Sequence, residues 1–149
     1  MRVLLIGYGN PGRGDDGLGP AFSARIESRD LPGLDIDTDY QLTPDHALAV
    51  AGAHKVIFAD ALIGSDAPFT FTKIEAGTQA ELSSHSLSPL SVLSLAAMLY
   101  GKRPQSHVLG IAGHEFGEIK EGLSAGAQGN LDLAEAFFVE WYLNADGSP

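Results

Sequence analysis

The apolar and polar residues of this chain fall into blocks of different period, and these blocks predict alternating strands and helices. The apolar run VLLI near the start predicts a buried strand over residues 2–7. Residues 17–28 then repeat apolar side chains at every fourth position, at Leu18, Phe22 and Ile26. That spacing predicts a helix with one inward-facing stripe, beginning directly after the strand and its turn.

The same pattern continues to the end of the chain. Short apolar or alternating runs predict further strands over residues 34–40, 55–60, 69–75 and 106–112, of which 34–40 lies near a sheet edge and 69–75 is exposed. A second helix is predicted to begin with Thr43 as N-cap and Pro44 in the first helical position, and to run to about Ala51. A third covers residues 88–100, with Ser88 as cap and Gly101 as stop, and the last covers residues 124–143. Strands that alternate with helices pair in parallel through right-handed crossovers. We therefore predict a three-layer α/β/α sandwich with a mostly parallel, twisted sheet of about five strands.

Composition narrows the classes of protein that fit this pattern. A length of 149 residues predicts one domain, residues 1–149, and neither an internal repeat nor an interdomain linker is visible. A net charge of −10 with only nine Lys and Arg residues argues against a nucleic-acid partner, because phosphate binding needs clustered basic side chains. Apolar runs long enough to cross a membrane and a signal-peptide pattern are both missing. The chain has no cysteine, which excludes thiolate catalysis and thiolate metal sites and fits a reducing compartment. We expect a cytoplasmic location.

A glycine-rich turn is the most informative motif of the sequence. The run GYGNPGRGDDG follows the first predicted strand without a break and ends on two adjacent carboxylates, Asp15 and Asp16. Glycine lets the backbone turn sharply and expose its amides. The two acids then repel phosphate and attract a metal ion or another cation.

Three candidate ligands are predicted near the carboxyl ends of the strands, where open α/β sheets bind their ligands. Asp16 follows the first strand, Asp60 closes the strand KVIFAD, and His85 lies in a serine-rich loop before a helix. Two carboxylates and one imidazole form a ligand set for a divalent metal. Each also has a purely structural interpretation: Asp16 can cap the following helix, Asp60 can cap a turn, and His85 can be a surface histidine. The remaining histidines compete with His85: His46, His54, His107 and, as the strongest rival, His114.

The spacing Gly7-x-Gly9-x-x-Gly12 formally matches a dinucleotide fingerprint. The match is weak, because Pro11 removes an amide that a phosphate cradle would use. Two like charges ~4 Å apart repel by roughly 4 kcal/mol at an effective dielectric of about 20, which opposes a pyrophosphate beside the two acids. Common hydrolase signatures are also missing, since the chain has neither a GxSxG elbow nor an HExxH zinc motif.

Three segments carry a resemblance to a known family. The run GYGNPGRGDDGLG, together with HKVIFADAL and SSHSLSPLSVL at their respective distances, resembles the hydrogenase maturation endopeptidases over nearly the whole chain. In that family an acid in the turn, an Asp ending a later strand and a His before a helix bind metal. By resemblance these positions fall on Asp16, Asp60 and His85, which the resemblance implies to be both metal-binding and catalytic. Two departures are that many relatives have Glu at the position of Asp16, and that Asp39 lacks the two glycines and threonine that often follow it.

The resemblance implies an endopeptidase of aspartyl type. Such an enzyme removes the C-terminal peptide of the nickel-iron hydrogenase large-subunit precursor after nickel insertion, so the implied partner is that precursor and the implied cofactor is nickel carried by the substrate. Two alternatives stay open. GYGNPG also resembles the opening of peptidyl-tRNA hydrolases, although the catalytic His expected shortly afterwards is missing. A non-enzymatic nucleotide- or cofactor-binding module could use the same turn.

Overall fold

A computed structural model describes residues 2–77, 87–117 and 119–145 of the chain. Strands and helices alternate along these residues, except that the strands Lys55–Leu62 and Phe69–Ile74 follow one another directly. A short 3-10 helix at Gly14–Gly17 lies between the first strand and the first α-helix. The elements in chain order are β1 Val3–Tyr8, α1 Leu18–Glu27, β2 Leu34–Asp39, α2 His46–Ala51, β3 Lys55–Leu62, β4 Phe69–Ile74, α3 Pro89–Tyr100, β5 Gln105–Ala112 and α4 Ala125–Ala145.

The five strands form one sheet in the order β2-β1-β3-β5-β4. Strands β2, β1, β3 and β5 run parallel, and β4 pairs antiparallel with β5 at one edge. The predicted edge position of β2 and the additional exposed strand β4 are therefore both confirmed. All parallel strands end at the same edge of the sheet, which is where the glycine-rich turn lies.

Helices cover both faces of the sheet, and each face has its own core. On one face α1 and α4 pack against the sheet through fully buried side chains such as Phe22 and Phe138, whose rings meet edge to face with centroids 5.4 Å apart. On the other face α2 and α3 bury Val50 and Val92 against Phe58. The predicted three-layer α/β/α sandwich with a mostly parallel sheet is confirmed.

Three predicted boundaries are wrong by two residues, one of them the end of α4, which lies at Ala145 rather than at residue 143. Strand β3 does not end at Asp60 but continues to Leu62, because β5 stays paired with it up to that residue. Helix α2 begins at His46 rather than at Pro44, with Asp45 as N-cap. The amide of Thr43 donates to Nδ1 of the His46 ring at 2.9 Å, so a side chain inside the helix binds the residue that was predicted to cap it.

The boundaries of α3 follow their predicted signals. The Ser88 hydroxyl accepts a hydrogen bond from the Ser91 amide at 3.1 Å, which is an N-cap contact. Gly101 ends the helix in the left-handed conformation with φ 68°. Within the part of the chain that the structure describes, no helix combines the length and apolar character that spanning a membrane requires.

Candidate functional site

The glycine-rich turn brings the backbone of Asp16 against the end of β1. Gly9 has φ 145°, and a Cβ atom there would lie 2.0 Å from the carbonyl oxygen of Asp16. A side chain therefore cannot be accommodated at this position. The Asp16 carboxylate accepts a hydrogen bond from the Asn10 amide at 2.8 Å, so it reaches back over the turn. Helix α1 has no side-chain cap, and the interpretation of Asp16 as a helix cap is wrong.

The neighbouring Asp15 has a different environment. Its side chain is fully buried, and the carboxylate accepts four hydrogen bonds, from the amides of His114, Glu115 and Ser124 and from the Ser124 hydroxyl, at 2.7–2.9 Å. Burial raises the pKa of Asp15, but these hydrogen bonds outweigh burial, and the pKa lies below its ordinary value. Asp15 thus joins the turn to the loop before α4 and does not face a ligand.

The amides of the turn are already used within the protein. From residue 9 to residue 16 every backbone amide donates to an oxygen of the chain, apart from Pro11, which has none. The amides of Gly14 and Asp15, for example, donate to the carbonyls of Lys120 and Glu115 at 2.6 and 2.9 Å. A phosphate cradle requires amides that are free to donate. The structure of the turn therefore argues against the nucleotide-binding alternative.

Asp16 and Asp60 line one cavity at the carboxyl edge of the sheet. The cavity has a volume of about 410 Å³, and Tyr8 lines it together with the two acids. A side-chain hydrogen bond joins the Tyr8 hydroxyl to the Asp60 carboxylate, and Asp60 Oδ1 also accepts the amide of Ala61 at 2.7 Å. The two predicted acids thus meet in one cleft.

Burial is the largest cause of the pKa shifts of Asp60 and Tyr8. Burial, with a smaller contribution from the negative charge of Asp16, raises the pKa of Asp60 to about 6, although hydrogen bonds from Tyr8 and Ala61 act in the opposite direction. Burial and the charges of the two acids also raise the pKa of Tyr8. The Tyr8 hydroxyl therefore stays protonated and acts as a donor. Perturbed acids in a cleft are typical of functional sites.

The third predicted ligand, His85, lies outside the described residues. Leu87, Ser88 and Pro89, with which the described chain continues, line the same cavity as Asp16 and Asp60. Among the described residues, no three His, Asp or Glu side chains converge closely enough to hold a metal ion. The two carboxylates that do meet are oxygen donors of the kind that divalent cations accept, so they fit part of a metal site.

The described rivals of His85 do not line this cavity. The ring of His107 stacks on Phe71 with centroids 4.4 Å apart, and His54 accepts the Arg2 amide at 3.1 Å. The remaining two are His46 and the exposed His114. These four histidines have structural roles or lie elsewhere on the surface.

A second acidic group lies beside the cleft. Nε2 of the buried His46 is 3.7 Å from carboxylate oxygens of both Asp37 and Asp39. Asp39 lines a neighbouring cavity of about 270 Å³, which shares Gly9 and Tyr40 with the first. Asp16 and Asp60 therefore line one cavity, and a third acid, Asp39, lines the cavity next to it.

Tyr8 was not among the predicted site residues. Its signal in the sequence is its place as the last residue of the first strand, directly before the turn, where side chains face the ligand in this class of fold. The distance of more than fifty residues between Tyr8 and Asp60 hides their contact in the sequence.

Comparison with known proteins adds a fold relationship. No protein-family model and no curated protein matches the sequence. Among solved structures, the hydrogenase maturating endopeptidase HybD from E. coli superimposes with a TM-score of 0.75 at 22% identity, over 97% of this chain and 94% of that one. The [NiFe] hydrogenase maturation protease HycI from Thermococcus kodakarensis KOD1 gives 0.69 at 22% identity, over 91% and 89%. A hydrogenase 2 maturation peptidase from Thaumarchaeota archaeon SCGC_AB-539-E09 also gives 0.69 at 22%, over 94% and 97%. The chain therefore has the fold of the hydrogenase maturation endopeptidases.

Proposed function

We propose that this protein is an endopeptidase that removes the C-terminal peptide of a nickel-iron hydrogenase large-subunit precursor once nickel has been inserted. The observation that carries the proposal is the meeting of Asp16 and Asp60 in one acidic cleft. The fold shared with maturation proteases over nearly the whole chain supports the same function.

In this proposal nickel belongs to the substrate, and Asp16, Asp60 and His85 test whether it is present. Leu87, which follows His85 by two residues, lines the cleft, and this supports His85 as the third ligand. Aspartate and histidine bind nickel less tightly than the cysteines that hold it in a hydrogenase. The protease therefore holds the metal without removing it, and a precursor that lacks nickel lacks this contact.

The two acids of the cleft contribute to this function in different ways. Asp60 loses its proton near neutral pH to become a ligand, because its pKa is about 6. Asp16, held over the turn by the Asn10 amide, supplies the second carboxylate. When bound, a metal can polarise the scissile carbonyl or activate a water. The cleft brings the peptide next to that metal.

Alanine substitutions test the assignment. Asp16→Ala, Asp60→Ala and His85→Ala are each expected to abolish shortening of the nickel-loaded precursor on a gel while the purified proteins stay folded. Matched controls are Asp35→Ala and His54→Ala, since Asp35 forms an exposed ion pair with Arg2 and His54 lies at the opposite end of β3. Normal processing by the three site variants refutes the site. Loss of processing in the controls as well points to a folding defect.

A further inference from the structure

Tyr8 lies in a row of side chains at the carboxyl edge of the sheet. It pairs with Asp39 of β2 on one side, and the register of β1 with β3 brings it next to Asp60 on the other, one residue after Gly7 pairs with Ala59. Neighbours in a row project to the same face of a sheet. Tyr8 therefore stands between two acidic side chains on the face covered by α2 and α3.

Both ends of the Tyr8 side chain are held. Its ring packs against the apolar cluster between the sheet and α2 and α3, which includes Ile6 and Phe58. Its hydroxyl donates to the Asp60 carboxylate, whose Oδ1 atom accepts the Ala61 amide at 2.7 Å. A carboxylate has about four lone-pair positions, so two are used by these donors and two remain for the cleft.

We propose that Tyr8 is a positioning residue that fixes the Asp60 carboxylate so that its free lone pairs face the cation bound opposite Asp16. This inference rests on the proposed function, because it names the residue that prepares the nickel site for the substrate. Hydrogen-bond donors behind a metal ligand fix its orientation, and their loss weakens metal binding by about 10- to 100-fold. Without the hydroxyl, the carboxylate can rotate, and the cation must order it on binding.

Titration of the purified protein with Ni²⁺ alone, followed by calorimetry, tests this role. Tyr8→Phe keeps the ring in the core and removes the hydroxyl, so we expect a Kd for Ni²⁺ at least about tenfold weaker with an unchanged melting temperature. Tyr40→Phe is the matched control, because Tyr40 lines the same cavity but is 70% exposed. The control should bind Ni²⁺ as the unsubstituted protein does. Equal Kd values for all three proteins overturn the inference.

A double substitution separates positioning from a general structural effect. If Tyr8 acts through Asp60, Tyr8→Phe has no further effect on the Kd in an Asp60→Asn background. The same loss in both backgrounds overturns the inference, because it shows that the hydroxyl acts elsewhere.

Asp16→Ala and Asp60→Ala distinguish a failure of the metal site from a failure of the Tyr8 role. If these variants bind Ni²⁺ as tightly as the unsubstituted protein, the metal site itself is refuted and Tyr8 with it. If these two variants bind Ni²⁺ more weakly but Tyr8→Phe binds it as tightly as the unsubstituted protein, only the positioning role of Tyr8 is refuted.

Discussion

The Asp15 carboxylate accepts hydrogen bonds from both the amide and the hydroxyl of Ser124, which lies 109 residues later in the chain. This contact joins the glycine-rich turn to the loop before α4. The adjacent Asp16 instead lines the cleft with Asp60. Two neighbouring acids of identical chemistry thus have separate environments, one in the scaffold of the turn and one in the lining of the cleft.

Asp15→Asn should therefore destabilise the protein strongly. The amide group that replaces one carboxylate oxygen presents donors to the buried donors of His114, Glu115 and Ser124. We expect a loss of at least about 2 kcal/mol of unfolding free energy, measured by urea denaturation. Asp16→Asn is the matched control and should lose less than about 1 kcal/mol, because one amide contact is affected. Equal losses in the two variants would show that Asp15 is not the structural acid.

The stabilisation by Asp15 also has a defined pH dependence. Its native pKa lies below the ordinary value of about 3.9. The stability that the ionised Asp15 carboxylate contributes is therefore fully present above about pH 4, and it is lost as the pH falls through the native pKa. Urea midpoints of the unsubstituted protein and Asp15→Asn, compared from pH 7 to pH 2, should converge at the acid end. A constant difference over that range contradicts this prediction.

Asp60→Asn should stabilise the protein at neutral and alkaline pH. The native pKa of Asp60 is about 6, above its unfolded value of about 3.9, so the native state binds the proton more tightly. The unsubstituted protein then loses stability as the pH rises from about 4 to about 6, because the buried carboxyl must ionise. The asparagine variant lacks this loss, and its urea midpoint should exceed that of the unsubstituted protein at pH 8 but not at pH 4. An equal or lower midpoint at pH 8 would mean that the Asp60 charge is not costly in the fold.

Gly19→Ala should disturb the packing of α1 against the sheet. A Cβ atom at Gly19 would lie 2.2 Å from the Tyr8 carbonyl oxygen and 2.6 Å from that of Ala59, so the helix must move away from both strands. We expect a loss of about 1–3 kcal/mol in urea denaturation, together with weaker Ni²⁺ binding because the end of β1 carries Tyr8. Gly129→Ala in α4 is the control, since open space surrounds that position and alanine should stabilise the helix by about 0.5–1 kcal/mol. A stabilising effect at both positions would contradict the close packing of α1.

The fold could be predicted from local patterns to a large extent. Apolar patterns, together with turn and cap residues, located each strand and α-helix of the described residues, and the caps of α3, Ser88 and Gly101, set its ends as the sequence indicated. Errors arose where one particular contact decided a boundary. Pairing with β5 extends β3 beyond Asp60, and no local window of sequence shows that partner. At α2 the contact is local, because the His46 ring accepts the amide of Thr43, the residue predicted as the cap, from only three residues away.

The site could be predicted in part, because topology alone brings the ends of parallel strands together. Asp16 and Asp60 follow that rule and meet in one cleft. The separate role of Asp15 could not be predicted, because its four hydrogen bonds come from a loop about a hundred residues away. Tyr8 was missed for the same reason, since its hydroxyl has its partner on another strand. His85 stays a prediction.

Intact-mass spectrometry of a large-subunit precursor tests the central claim most directly. The precursor is incubated with this protein once in the nickel-loaded form and once nickel-free, and the mass of each product is measured, with Asp16→Asn and Asp60→Asn as inactive references. The account predicts that the nickel-loaded precursor alone loses a C-terminal peptide, and that neither reference variant produces the shorter chain. Equal shortening of the nickel-free precursor, or an unchanged mass in both forms, would contradict it.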